Sequence, residues 1–383
     1  MVTPRRAATA AVTTTVATVC PVFLLGGLGV QVMDELGFTP AGLGLAVAIY
    51  FATSAIVSIR SGRLVERIGV RKAATAAIAL VAVALLGMAA SVNLATLIAA
   101  LILAGPANSL GQLSANALLA KRVPARRQGL MFGVKQASVP ASTTLAGISV
   151  PLFALTIGWR WAFVAAAAVA LLVLLILPDA ENPRPAPAGT PARGRPSAAL
   201  IVISAAAALG ATAANPLGTF IADYAVFRGI SEALAGATVT IGGLAGVAAR
   251  ISAGWLADRR DSGRLTMIAI MLGTGSIALL VLLAPPLWAV PVGTGLGFAV
   301  GWAWPGVLNF AITRLHADAP AAATGVTQTG VYLGGAVGPL SFGGIVDLWG
   351  YPAAWSTMAV LMIAGAVLMV FGRRMLLATP RTR

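Results

Sequence analysis

The sequence predicts an all-α polytopic membrane protein, with twelve transmembrane helices in two pseudo-symmetric six-helix halves. Three observations predict it. Of 383 residues, 58% are hydrophobic and 10% charged, whereas a soluble domain averages about a quarter charged. Apolar stretches of about 20 residues, long enough to cross a bilayer core of roughly 30 Å as helix, recur from end to end. The basic residues gather in the connections that lie on one side of such a layout.

Twelve spans are predicted, over 9–32, 41–60, 73–91, 94–119, 129–154, 160–177, 198–222, 233–253, 265–284, 287–312, 321–346 and 353–372. The first follows Arg5 and Arg6 as a signal peptide's apolar region would, but it runs to Val30 without a clear cleavage site and is read as retained. Proline and glycine inside several spans are compatible with membrane helices, where neighbours satisfy the freed backbone groups. "PDAENPRPAPAGTPARGRPS", 178–197, is too rich in Pro, Arg and Gly to pack a core and is read as a flexible linker.

The net charge of +15 raises the possibility of nucleic acid, and the placement of the charge excludes it. All basic residues but Lys135, Arg160 and Arg228 are assigned to one side, Arg250 among them with the loop at 250–264. The positive-inside rule then places both termini and the linker in the cytoplasm. The single cysteine, Cys20, falls within a span and is read as packing. The single histidine, His316, is read as a solvated loop residue.

The halves repeat. Gly62, Glu66 and Arg67 recur as Gly254, Asp258 and Arg259, and the same offset of 192 residues carries Gly133, Val134 and Gln136 onto Gly325, Val326 and Gln328, and Gly158 onto Gly350. An internal duplication follows, dividing the chain into 1–177, the linker 178–197, and 198–383.

The connection after the second span, "GRLVERIGVRK" from Gly62 to Lys72, has a Gly, an acid and a base, a second Gly, then basic residues. It resembles the cytoplasmic signature of the major facilitator superfamily, and Gly254 to Asp258 and Arg259 repeats its first half. A glycine at a helix end permits close approach, and an acid there can face the positive N-terminus of a neighbouring helix. The resemblance implies that Gly62, Glu66, Arg67 and Arg71, with Gly254, Asp258 and Arg259, latch the state closed to the cytoplasm. The sequence departs from the family pattern at Glu66, where Asp is usual, and at Val70, where a basic residue is usual. The competing reading is that these arginines set topology only.

Lys135 is the one lysine inside a long apolar run, about 9 Å into the fifth span at 1.5 Å per residue. It could snorkel back to the interface, or its ammonium could face a cavity and meet a negative group on a substrate, because intramembrane charges usually line a pathway. Ser138 and Ser142 follow at helical spacings of three and seven and are placed on its face. Thr327 occupies the equivalent position of the second half, so the charge is asymmetric while Gln136 and Gln328 are paired. Tyr50, Asn108, Gln112, Asn116, Asn215, Trp302, Trp304, Asn309 and Tyr332 are further candidates for the cavity. The run "GVKQASVP" is similar to a pattern of bacterial members near the cyanate permease branch, which implies a bacterial inner membrane.

No carboxylate is placed at mid-span, where a proton-driven exporter of cationic drugs needs one. The expectation is therefore a secondary transporter of a small organic or inorganic anion, by symport, exchange or facilitated diffusion. The alternative is an exporter of lipophilic compounds whose aromatics carry binding. No clustered His, Cys or acids suggest an enzyme, and no phosphate-binding loop suggests nucleotide-driven transport. The expected partners are the small-molecule substrate and the lipid bilayer; the protein is read as a monomer without metal or cofactor.

Overall fold

The computed structural model describes residues 4–123, 127–178, 197–260, 262–315 and 320–378. Among them no strand occurs, as a bilayer requires of an open chain, because helices satisfy every backbone group internally. The first half comprises α1 (Pro4–Gly27), α2 (Gly29–Leu36), α3 (Pro40–Ile68), α4 (Val70–Ala89), α5 (Leu94–Arg122), α6 (Gln128–Gln136), α7 (Ser138–Ser149) and α8 (Trp159–Leu172). The second comprises α9 (Ala198–Phe227), α10 (Glu232–Asp258), α11 (Arg264–Val281), α12 (Ala289–Leu296), α13 (Pro305–Leu315) and α14 (Pro320–Ala378).

These helices make twelve crossings. α14 counts twice, because Gly350 at φ 81° and ψ 172° interrupts its helical backbone. Gly158, its counterpart in the repeat, stands before α8 at φ 100°. Both take positive φ, which costs a residue with a side chain roughly 1–2 kcal/mol, so the duplication extends to the turn between the last two crossings of each half. Outward-facing side chains such as Val169, Leu172 and Val360 are exposed and apolar, as lipid contact requires.

Three sequence expectations are corrected. The first span is not continuous: it breaks at Leu28 between α1 and α2. The signature after the second span is not a loop, since α3 stays helical to Ile68 and Gly69 leads directly into α4. Its repeat likewise ends α10 as helix. The fifth and tenth crossings break mid-membrane, at Ala137 and over 297–304. The linker between 178 and 197, and His316, lie outside the described residues.

With an even number of crossings, both termini share one face of the bundle, here called the terminal face. At the opposite face the halves meet backbone to backbone. Gly26 lies against Gly218 and Thr219, Gly44 against Pro339, Gly343 against Pro40, and Gly147 against Gly236. Two hydrogen bonds cross the same end: Gln31 Nε2 donates to Glu232 Oε2 at 2.6 Å, and Thr39 Oγ1 to Asp347 Oδ2 at 2.8 Å. Elsewhere in α14, Gly334 and Gly338 seat on the carbonyls of Ala208 and Thr212, which is helix packing.

Candidate functional site

Proline chemistry breaks the helices at the centre. Pro140 has no N–H to offer the carbonyl of Gln136, four residues earlier, and its ring crowds that oxygen. The carbonyl is therefore free of the helix, and α6 gives way to α7 at Ala137. In the other half Pro305 disfavours helix at Trp304; a π-helical turn over 297–301 and an irregular stretch precede α13, which frees the carbonyl of Trp302.

Arg250 takes up both oxygens. Its Nη1 donates to Gln136 O at 2.6 Å and its Nη2 to Trp302 O at 2.7 Å. The guanidinium also stands 5.6 Å from the centre of the Trp302 ring, within cation–π reach. Arg250 is 3% exposed, and its Nε has no hydrogen-bond partner. It is the main correction to the sequence reading, which grouped it with the loop arginines. The signal was present, because Arg250, Gly254 and Asp258 lie one turn apart on a single stripe of α10, and Arg250 falls inside the predicted span.

Lys135 is also 3% exposed, and its Nζ donates to Gln112 Oε1 of α5. The two cations line one cavity of about 110 Å3, space for several waters or a small solute at roughly 10–15 Å3 per water. Tyr50, Asn108, Gln112, Asn116, Gln136, Asn215, Trp302, Trp304, Asn309, Gln328 and Tyr332, all expected there, line it as well. Ser58, which the repeat pairs with Arg250, lines it too. No carboxylate is among the described lining residues.

Several of these polar groups are committed elsewhere. Tyr50 donates its hydroxyl to Thr18 O at 2.9 Å, Asn215 its amide to Ala211 O at 2.8 Å, and Asn108 its amide to Ser54 Oγ at 3.2 Å. Asn108 Oδ1, Asn116 Oδ1 and Trp304 Nε1 are buried with no partner. Ser138 and Ser142 are not on the cavity wall: their hydroxyls donate to Val12 O and to Ser138 O, on the α1 side. Val139, four residues after Lys135, does line the cavity, so the stripe divides: the i+4 position faces the cavity and the serines face α1. Thr327 donates within its own turn to Thr324 O.

The signature residues divide. Asp258 Oδ2 accepts from the backbone N–H of Leu130 at 2.8 Å, at the start of α6 in the other half. Gly254 permits this approach: a Cβ there would lie 3.0 Å from Gly129 O and 3.2 Å from Gly133 Cα. In the first copy the glycine is less closely packed. A Cβ on Gly62 would meet nothing nearer than Leu113 Cδ1 at 3.9 Å, and Arg67 and Arg71 are exposed. Arg259 stacks on Trp255 at 3.7 Å from the ring centre. The Glu66 side chain lies outside what the structure describes.

A family model described as Major Facilitator Superfamily matches residues 8–339. The chain belongs to the major facilitator superfamily. Among solved structures, the human organic anion transporter MFSD10 (TETRAN) is similar with a TM-score of 0.71 and 17% identity, over 96% of this chain and 99% of that one. That likeness is one of fold. Family and fold together make this a membrane transporter, and its described helices make the twelve crossings the sequence predicted.

Proposed function

We propose that this superfamily member is a secondary transporter that moves a small anion across the cytoplasmic membrane by alternating access, with Lys135 and Arg250 as the anion's anchors. One observation carries the reading: two buried cations, one from each half, share a cavity with no carboxylate among its described lining residues. Ionisable groups at membrane depth are costly and mark substrate pathways, and two uncompensated positive charges call for a negative ligand. Gln112, Gln136, Asn116 and Gln328 offer neutral hydrogen bonds around that charge. The human neighbour is an organic anion transporter by its description, but the cavity's cations, not that likeness, support an anion here.

In the same proposal the terminal face is cytoplasmic, because the basic connections gather there, and the chain works as two halves, 1–177 and 198–383, joined by 178–197. Gly254 and Asp258 hold the α6–α10 side of that face closed. Gly62, Glu66, Arg67, Arg71 and Arg259 complete the latch as the resemblance implies.

A thermal-shift screen tests the anion site. Purified protein is heated with chloride, phosphate, acetate, benzoate or succinate, and with neutral or cationic lipophiles, alongside Lys135→Ala. An anion bound only to the folded state at a hundred times its Kd stabilises by about 2.7 kcal/mol, and this stabilisation disappears in the variant. Stabilisation by lipophiles, equal in both proteins, would replace the anion reading with an exporter whose aromatic wall of Phe23, Trp302, Trp304 and Tyr332 carries binding.

A further inference from the structure

Both cavity cations already have oxygen partners within the protein. Lys135 donates to Gln112 Oε1, and Arg250 to the carbonyls of Gln136 and Trp302. None of these oxygens carries a formal charge. A carboxylate there would pair the cations permanently and compete with an anion, whereas leaving them bare would penalise any rearrangement that keeps them buried. Neutral dipoles do neither: they satisfy the donors when no ligand is present and yield to a full negative charge, whose hydrogen bonds are roughly twice as strong.

The two docks differ in where they sit. Arg250 reaches from the second half to Gln136 in the first, so that bond depends on how the halves meet. Lys135 and Gln112 both belong to the first half, on α6 and α5. That bond travels with its half whichever face is open. On the anion reading above, we infer that Gln112 is a positioning residue that stands in for the substrate, allowing the empty protein to reorient, so that transport is net movement and not obligatory exchange of one anion for another.

The test needs no identified substrate. In a Cys20→Ala background, Thr219→Cys reports opening of the opposite face, since Thr219 is 2% exposed and packed under Gly26. Ser58→Cys reports the cavity on the terminal side. Each is alkylated with a membrane-impermeant maleimide, with dextran sulfate, too large for the cavity, as the counter-anion. Both positions react in protein with native Gln112. With Gln112→Leu, labelling of Thr219→Cys slows about tenfold or more, while Ser58→Cys still reacts and shows that the fold is intact.

If Thr219→Cys reacts only after phosphate or benzoate is added, the protein is an exchanger: the inference is overturned and the anion reading stands. If Gln112→Leu leaves the labelling rate unchanged, Gln112 is not the stand-in. The anion reading itself falls on the separate thermal-shift result, stabilisation by lipophiles that is equal in native protein and Lys135→Ala.

Discussion

Replacing Asp258 by alanine removes a contact whose size the structure allows to be estimated. α6 begins at Gln128, so Leu130 is its third residue and its N–H has no partner within the helix. Arg127, which precedes the helix, provides no side-chain cap. Asp258 Oδ2, from the other half and at 2.8 Å, is the acceptor, and its negative charge faces the positive end of the helix. Loss of a cap costs about 1 kcal/mol, and the charge at a helix N-terminus adds roughly 0.3–1 kcal/mol. The sum, ~1–2 kcal/mol, corresponds to about 5–30-fold in an equilibrium constant. Hydrogen exchange at Leu130 reads it directly. Exchange there rises by that factor in Asp258→Ala, by less in Asp258→Asn, which keeps an acceptor without the charge, and not at all at the buried amides of α9. Unchanged exchange at Leu130 in Asp258→Ala would refute the assignment of Asp258 as the cap that joins the halves.

Arg250→Ala leaves the carbonyls of Gln136 and Trp302 buried without donors; at ~1–3 kcal/mol for an unsatisfied group, its melting temperature falls in detergent more than that of Lys135→Ala, and equal melting would argue that water replaces the guanidinium. Gly133→Leu forces a side chain where a Cβ alone would lie 2.9 Å from Arg250 O, so it prevents the α6–α10 contact and removes the protection at Leu130, whereas at Gly62 a Cβ would meet only Leu113 Cδ1 at 3.9 Å, away from α10, and Gly62→Leu leaves that protection intact. Equal exchange in the two glycine variants would contradict the division between the signature copies. Gly350→Ala must adopt φ 81°, and a loss of roughly 1–2 kcal/mol in denaturant midpoint, with anion stabilisation retained, is the expected outcome; a loss of binding would mean that the kink shapes the cavity.

Composition and span length determined the architecture, because in a bilayer few alternatives exist: an apolar run of about 20 residues must be helix, and twelve of them with a 192-residue repeat must pair as two halves. Lys135 was conspicuous for the same reason, since a charge in hydrocarbon stands out against its run. Most of the expected cavity residues also emerged from the sequence, because a polar side chain inside an apolar helix has few places to go but the centre of the bundle. What the sequence alone did not decide depends on direction and distance between segments. Arg250 reads as a loop residue until α10 is seen to continue two turns past it, with its guanidinium held by carbonyls that Pro140 and Pro305 release from helices distant in sequence. Ser138 shares a helical spacing with Lys135, but its hydroxyl donates to α1, because only the packing of α1 against α7 decides which side of that stripe meets the cavity. And two copies of one signature, alike as strings, differ in how closely their glycines pack: a Cβ on Gly254 would meet backbone of the other half, where Asp258 reaches the first turn of α6, whereas one on Gly62 would meet only Leu113 Cδ1 at 3.9 Å.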